Sequence, residues 1–339
     1  MINKLLRSLV LARSRSTRAL GLLLTISEAV LCASASPPAT SRVIAWGDLE
    51  YDLAIAPWPP ASIAVPAISA GAFHSLVLRG DGTLMAWGED QFGQTSIPPS
   101  AQVGTAVGAA AGNVHNLALL STGTVVAWGP LPGEPGDYGQ CEVPQGLNGV
   151  VAVAAGAVHS LALLGDGTVV AWGSDAYGQC DVPQDLDEVV AIAGGMYHSL
   201  ALRRDGTVVA WGGNNMGQAD VPEGLSHVVA IAAGGFHSLA LKDDGTVVFW
   251  GGNGLIKGGV PTGLANVVAI ATGDYHSLAL RRDGSVVAWG LNTTGQCNVP
   301  AGLAKVALIA ARGRHSMVLV DDHSSPREPT SVLGAGTPH

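Results

Sequence analysis

Two landmarks recur seven times along this chain, and their spacing restricts the fold more than any other feature. Trp-Gly occurs at Trp46, Trp87, Trp128, Trp172, Trp211, Trp250 and Trp289, with successive spacings of 41, 41, 44, 39, 39 and 39. A histidine recurs at His74, His115, His159, His198, His237, His276 and His315, spaced 41, 44, 39, 39, 39 and 39. A fixed period in this range marks a chain built from stacked or circularly arranged supersecondary units. From each histidine to the next Trp the distance is always 13 residues, and this constant part reads HSLAL-x-x-DG-TVVAWG. It is two alternating apolar strands joined at Asp-Gly, as at Asp166-Gly167, Asp205-Gly206 and Asp244-Gly245. Asp-Gly between such runs is a strong hairpin signal, because both residues accept positive φ. Alternation puts His237, Leu239 and Leu241 on one side of the strand, with Ser238 and Ala240 on the other.

All length variation falls between each Trp and the next histidine, where the chain reads G-x-N-x-x-GQ-x-x-VP-x-GL-x-x-VVAIAAG. A polar, Gly-rich loop is followed by Val-Pro and then by a strand of small residues. Ala and Gly let neighbouring strands approach closely, as the centre of a propeller requires. The largest insertion lies around Pro130 to Gly136. Each repeat therefore supplies three strands, with room for a short fourth, which suits a propeller blade. The chain begins this pattern with a lone VIAWG strand (Val43 to Gly47) and ends it with GRHSMVLV (Gly313 to Val320). These halves complete one blade, and pairing them closes the ring and removes exposed sheet edges. The expected fold is all-β: a seven-bladed β-propeller over residues 42–320, closed by a blade shared between the N- and C-terminal strands.

Composition agrees. Charged residues make up 13% and apolar residues 47%, with 46 Gly and 19 Pro, the balance of an all-β chain with many tight turns rather than of a disordered one. Residues 1–36 stand apart as a signal-like or targeting segment. Lys4, Arg7, Arg13, Arg15 and Arg18 precede an apolar run from Ala19 to Ala33 and then Ala33-Ser34-Ala35. That order resembles a secretory signal and points to a secreted or periplasmic protein. Glu28 interrupts the run, and an Arg- and Ser-rich start also fits a mitochondrial transit peptide or sequence upstream of the true start, leaving a cytoplasmic protein as the alternative. The run is short for a stable membrane span. Leu31 before Cys32 is the wrong residue for lipidation. The net charge is -9, with the excess of basic residues confined to the leader, so the body is acidic and lacks the Lys/Arg cluster that nucleic acid demands. Residues 321–339 are rich in Ser, Pro and Gly without period, and read as a disordered tail.

The run Ala232 to Asn253, AAGGFHSLALKDDGTVVFWGGN, and its copies resemble the regulator of chromosome condensation repeat family. The shared pattern is Gly-x-x-His-Ser, Asp-Gly, Trp-Gly-x-Asn and Gly-Gln, over residues 42 to 320. The Val-Pro-x-Gly-Leu addition is similar to the bacterial branch. The resemblance implies a seven-bladed propeller with a blade shared by the termini. It implies several functions: guanine-nucleotide exchange on a small GTPase, ubiquitin-ligase modules, and secreted β-lactamase inhibitors, the last being nearest in local sequence. The acidic body, the export-like start and the lack of a long wedge-like insertion count against the exchange factor.

No Ser/His/Asp or Cys/His set stands out from the repeat background, so no catalytic residue, no cofactor and no enzymatic activity are expected. The histidines would share a metal only if they lined the axis, since zinc needs three or four ligands within ~2.3 Å. The serine after each histidine points to a structural hydrogen-bonded pair instead, and no metal is expected. The tryptophans read as core. Cys141, Cys180 and Cys297 share one repeat position with Thr95 and Ala219 and read as unpaired small residues, although a disulfide between adjacent blades is geometrically open near the axis. Glu142, Asp181 and Asp220 follow as an acidic row, which is a cation or basic-partner patch or simply a solvated edge.

Variation between copies identifies the candidate partner-binding residues. The position before each histidine holds Phe73, Val114, Val158, Tyr197, Phe236, Tyr275 and Arg314, and the loop before Gly-Gln holds Phe92, Tyr138, Tyr177 and Met216. Aromatics and Arg concentrated on one loop face are what interface hot spots are made of. In the secreted inhibitors, aromatics at these two repeat positions contribute to the partner-facing surface. The resemblance carries that role to Phe73, Tyr197, Phe236, Tyr275, Phe92, Tyr138 and Tyr177, and fails at Val114, Val158 and the Gly254–Lys257 loop. The competing reading is that these rings cap the apolar layer between blades. The expected protein is a monomeric, non-catalytic propeller that binds a protein partner through one loop face, inhibition of a secreted enzyme being one form of this.

Overall fold

The computed structural model describes residues 41–48, 65–102, 104–252 and 259–321. The leader-like segment 1–36, the Gly254–Lys257 loop and the tail beyond residue 321 lie outside the described residues. Asp321, read from sequence as the start of that tail, is the last residue of a strand.

Seven three-stranded antiparallel sheets follow one another around a ring. The first strand, β1 (Ser41–Gly47), belongs to the seventh sheet. Blade 1 contains β2 (Ala67–Ala70), β3 (His74–Leu78) and β4 (Leu84–Gly88). A four-residue helix, α1 (Pro99–Gln102), then leads to blade 2, formed by β5 (Ala106–Ala111), β6 (Asn116–Leu120) and β7 (Val125–Trp128). Blade 3 is β8 (Val150–Ala155), β9 (His159–Leu164) and β10 (Val169–Gly173). Blade 4 is β11 (Val189–Gly194), β12 (His198–Arg203) and β13 (Val208–Gly212). Blade 5 is β14 (Val228–Ala233), β15 (His237–Lys242) and β16 (Val247–Gly251), and blade 6 is β17 (Val267–Thr272), β18 (His276–Arg281) and β19 (Val286–Gly290). Blade 7 takes β20 (Val306–Arg312) and β21 (His315–Asp321) from the chain's end and β1 from its start.

The Ala-rich strand of each blade lies innermost and touches its counterparts on both sides, with β20 against β2 completing the circle. No fourth strand is present in any blade among the described residues. The shared blade pairs Ser41 with Asp321 and Gly47 with His315, with β1 covering the outer edge of β21.

The core is divided into seven layers, one between each pair of blades. Between blades 4 and 5, Leu200 and Leu202 pack on Ile231, Ala233, Ala240 and Trp250. The closing layer sets Met317 and Leu319 of β21 against Ile68, Ala70, Val77 and Trp87. Every layer draws one Trp from the later blade, so the period-2 leucines face one neighbour while the tryptophan faces the other. Because each residue stacks only against adjacent blades, closure is what leaves no layer open to water.

A second network joins the blades. The imidazole Nε2 of His198 lies 2.9 Å from Ser238 Oγ, and that hydroxyl donates to the carbonyl of Gln218 at 2.8 Å. The indole Nε1 of Trp250 donates to the same carbonyl. Since the hydroxyl's proton is committed, Ser238 accepts from His198, which places the histidine proton on Nε2. The wiring repeats at His115–Ser160, His159–Ser199, His237–Ser277 and His276–Ser316. In blade 2 Asn116 replaces the serine: its Oδ1 takes the bond from His74 and its Nδ2 donates to Gln94 O. The expected histidine–serine pair is therefore present, but it crosses from one blade to the next. The glycine three residues before the histidine has a steric cause. A Cβ on Gly234 would lie 2.7 Å from Gly273 O and would also strike the His237 ring.

Candidate functional site

Strand register sorts the loops into two ends. Each pre-histidine residue sits level with the turn that follows Trp-Gly, as shown by Gly213 N–H donating to Tyr197 O and Gly252 N–H to Phe236 O. The pre-histidine positions and the Gly-Gln loops thus share one end of the ring. The Asp-Gly turns lie at the other, beside the turns that enter the inner strands, where Arg204 N–H donates to Glu188 O.

Every sequence-nominated aromatic among the described residues falls at the first end. Phe73, Tyr138 and Tyr177 are exposed, whereas Tyr197, Phe236 and Tyr275 are half-buried. Four of them form a continuous row over blades 4 to 6. Tyr177 and Tyr197 centroids are 4.6 Å apart, Tyr197 and Phe236 6.0 Å in an edge-on arrangement, and Phe236 and Tyr275 5.2 Å in a stack. Such pairs contribute ~0.5–1.5 kcal/mol each beyond area burial, so the row holds its shape while leaving ring surface in water. Burial pushes the Tyr197 and Tyr275 hydroxyls above their ordinary range, and the charge of Arg314 opposes the shift at Tyr275. Arg314, exposed, extends the row onto blade 7. Phe92 stands apart, near Pro130 and Gly136 of the long insertion.

The same end is acidic. Glu89, Asp90, Glu134, Asp137, Glu142, Asp175, Asp181 and Asp220 lie on its loops, against Arg314 as the exposed base among the described residues. The other end mixes both signs, with Arg203 near Asp187, Arg204 near Glu188 and Lys242 near Asp244.

The seven histidines do not converge on the axis. All are fully buried, and no group of three or more His, Cys, Asp or Glu residues is placed to hold a metal among the described residues. Burial holds His159, His198 and His237 down to about 3 and His276 to about 4. Cys141, Cys180 and Cys297 are free thiols. Burial pushes Cys141 and Cys180 up to about 12 and Cys297 to about 11, which leaves them poor nucleophiles.

One residue that matters was missed. Arg312 occupies the place where the other six copies have the glycine of Gly-x-x-His. Its side chain is buried and crosses the axial channel, with Nη1 donating to Ala155 O at 3.0 Å and Gly194 O at 3.1 Å, and Nε to Asn113 Oδ1 at 3.3 Å. It links blade 7 to blades 3 and 4 on the far side of the ring. Burial raises the Asp274 carboxyl, and Arg312 partly offsets this. The signal was the broken repeat position itself.

The closed seven-blade ring, with its cross-blade His–Ser–Gln wiring, defines a repeat propeller whose variable loops gather at one end. Five of its repeats, residues 67–94, 150–179, 189–218, 228–255 and 267–296, match the regulator of chromosome condensation (RCC1) repeat. The chain thus carries regulator of chromosome condensation repeats within its seven-bladed propeller. Prp20p of Saccharomyces cerevisiae, described with its binding to Gsp1p and histones, has a similar structure: TM-score 0.70 and 21% identity over 88% of this chain and 97% of that one. Human WBSCR16 is similar at TM-score 0.64 and 20% identity, covering 83% of this chain and 99% of its own. The ectodomain of the Arabidopsis thaliana receptor kinase ACR4 is similar at TM-score 0.60 and 22% identity, covering 79% and 92%. At these identities the likeness concerns the fold. No curated protein matches the sequence. No helix among the described residues is long and apolar enough to cross a membrane.

Proposed function

We propose that this chain is a non-catalytic, exported binding propeller that captures a protein partner at its aromatic end. The observation that carries this is the row Tyr177–Tyr197–Phe236–Tyr275, four rings in contact across consecutive blades with surface left in water. Large rings already held in place lose little conformational freedom on binding, which is what makes aromatic anchors effective. Inhibition of a secreted enzyme is one form such capture would take.

The test is a combined Tyr197→Ala, Phe236→Ala and Tyr275→Ala variant, used beside the parent to capture proteins from the extracellular fraction of the source organism. Retained melting behaviour with loss of the captured partner supports the reading. Collapse of the fold assigns the rings to the core instead, and undiminished capture removes them from the interface. Prp20p is described as binding Gsp1p, which keeps nucleotide exchange on a small GTPase as the alternative. Accelerated nucleotide release from a small GTPase would favour that alternative.

A further inference from the structure

The longest connection in the ring, from Trp128 to His159, builds a cleft of about 780 Å³ at the aromatic end, between the loops leading into blades 2 and 3. Its walls are apolar: Phe92, Trp128, Pro130 and Leu131, the last 70% exposed. Its rim carries Glu134 and Glu142. We propose that this cleft receives an arginine or lysine side chain of the protein partner, the aliphatic stem lying on the apolar walls and the cation meeting the two carboxylates. The inference rests on the protein-binding reading above and adds the chemistry of the anchor.

The loop that forms the cleft is preformed. Asp137 turns its carboxylate inward, accepting from Gly133 N–H at 2.8 Å and Gly139 N–H at 2.9 Å. Gln140 Nε2 donates to Gly136 O, and Glu134 N–H to Leu131 O. A braced loop that holds Leu131 out in water is a surface organised for contact, since an isolated apolar tip stabilises nothing by itself. The cleft carries the proposal, and charge selects the occupant. No lysine or arginine lines the cleft. Glu134 and Glu142 have no ion pair or side-chain hydrogen bond among the described residues, in contrast to Asp137. A guanidinium or ammonium arriving on a long methylene stem satisfies both the walls and the rim. The aromatic rings beside the carboxylates favour the same cation. The surrounding end is acidic, so a basic patch is also steered towards it.

The experiment uses the full chain, ¹⁵N-labelled, titrated with acetyl-Leu-Arg-Leu amide and with the same peptide carrying norleucine in place of arginine. Saturable shifts at the Gly133, Gly136 and Gly139 amides with the arginine peptide are expected, with a dissociation constant on the order of 1 mM for so small a probe. Binding should weaken about tenfold for the norleucine peptide and about fivefold or more in the Glu134→Gln/Glu142→Gln double variant, by loss of the charge-assisted bonds. Absence of saturable shifts, equal binding of the two peptides, or indifference to the double variant overturns the proposal. Glu134 and Glu142 are surface residues, and an unchanged melting curve establishes that the variant is folded. The aromatic triple variant should bind the arginine peptide as the parent does. Loss of partner capture there, with no peptide binding in the parent, would sink the cleft alone. Peptide binding with unimpaired capture by the triple variant would sink the aromatic row alone.

Discussion

Trp46 donates its indole Nε1–H to the carbonyl of Gln296, 250 residues further along the chain, at 2.9 Å. The same bond joins Trp211 to Gln179 and Trp250 to Gln218 inside the ring. The blade that joins the chain's first and last strands is therefore wired like blades 4 and 5.

Replacing Trp46 by Phe should cost about 1 kcal/mol, the usual net contribution of one buried hydrogen bond. The carbonyl of Gln296 keeps its bond from Ser316 Oγ, which limits the loss. Trp211→Phe should cost a similar amount. Urea unfolding of both variants checks this, and a silent Trp46→Phe would show that this bond contributes nothing to stability.

Stability should fall steeply on mild acidification. The buried histidines are neutral in the fold: burial holds six of them down to about 3–4 and His115 well below its ordinary range. The unfolded chain takes up these protons below about pH 6.5. The contribution is thus complete above pH 6.5 and is lost as pH drops towards 3–4, at up to about 1.4 kcal/mol per unit for each histidine. Protonation would also place a hydrogen on Nδ1, where the preceding glycine lies against the ring. Urea midpoints should be nearly level around pH 7.5 and fall with growing slope from about pH 6.5 to 5, where His237→Gln should reduce the slope by up to one proton.

Glu188, His227 and Lys305 adopt positive φ of 50°, 59° and 56°, at the turn that enters an inner strand. Gly149 holds the equivalent position in blade 3, also at positive φ. A residue with a Cβ is strained in this region by ~1 kcal/mol or more, and glycine is not. Glu188→Gly should therefore stabilise the protein by about 0.5 kcal/mol, after glycine's own entropy loss. Thermal melting gives the sign directly, and a lower melting temperature would refute it.

The ring was legible because the repeat is written in residues with local causes. Asp-Gly marks each hairpin, and the constant 13-residue distance from His to Trp-Gly becomes a two-strand register in which His237 sits opposite Gly251 and Ser238 opposite Trp250. The direction of the His–Ser bond was not legible. Adjacent residues in a strand point to opposite faces, so His198 cannot reach Ser199 and instead finds Ser238, a partner that only the ring's curvature supplies. The aromatic row was half legible: sequence placed the rings at one end, but their contact across three blades depends on the angle between blades. The cleft beside Pro130 depends on how an insertion folds on itself, where no period helps. Arg312 was hidden by its surroundings, since an arginine at the end of a strand ordinarily reads as solvated, and only a view down the axis shows the carbonyls it reaches.

The pairing of Ser41 with Asp321 has a practical consequence for orientation. β1 enters the ring, and β21 leaves it, at the end that carries the Asp-Gly turns, opposite the aromatic row. Any linker, tag or neighbouring domain joined at either of these two residues hangs from the back of the disc. A protein tethered at either residue, on a bead or a sensor chip, would turn its aromatic end away from the support.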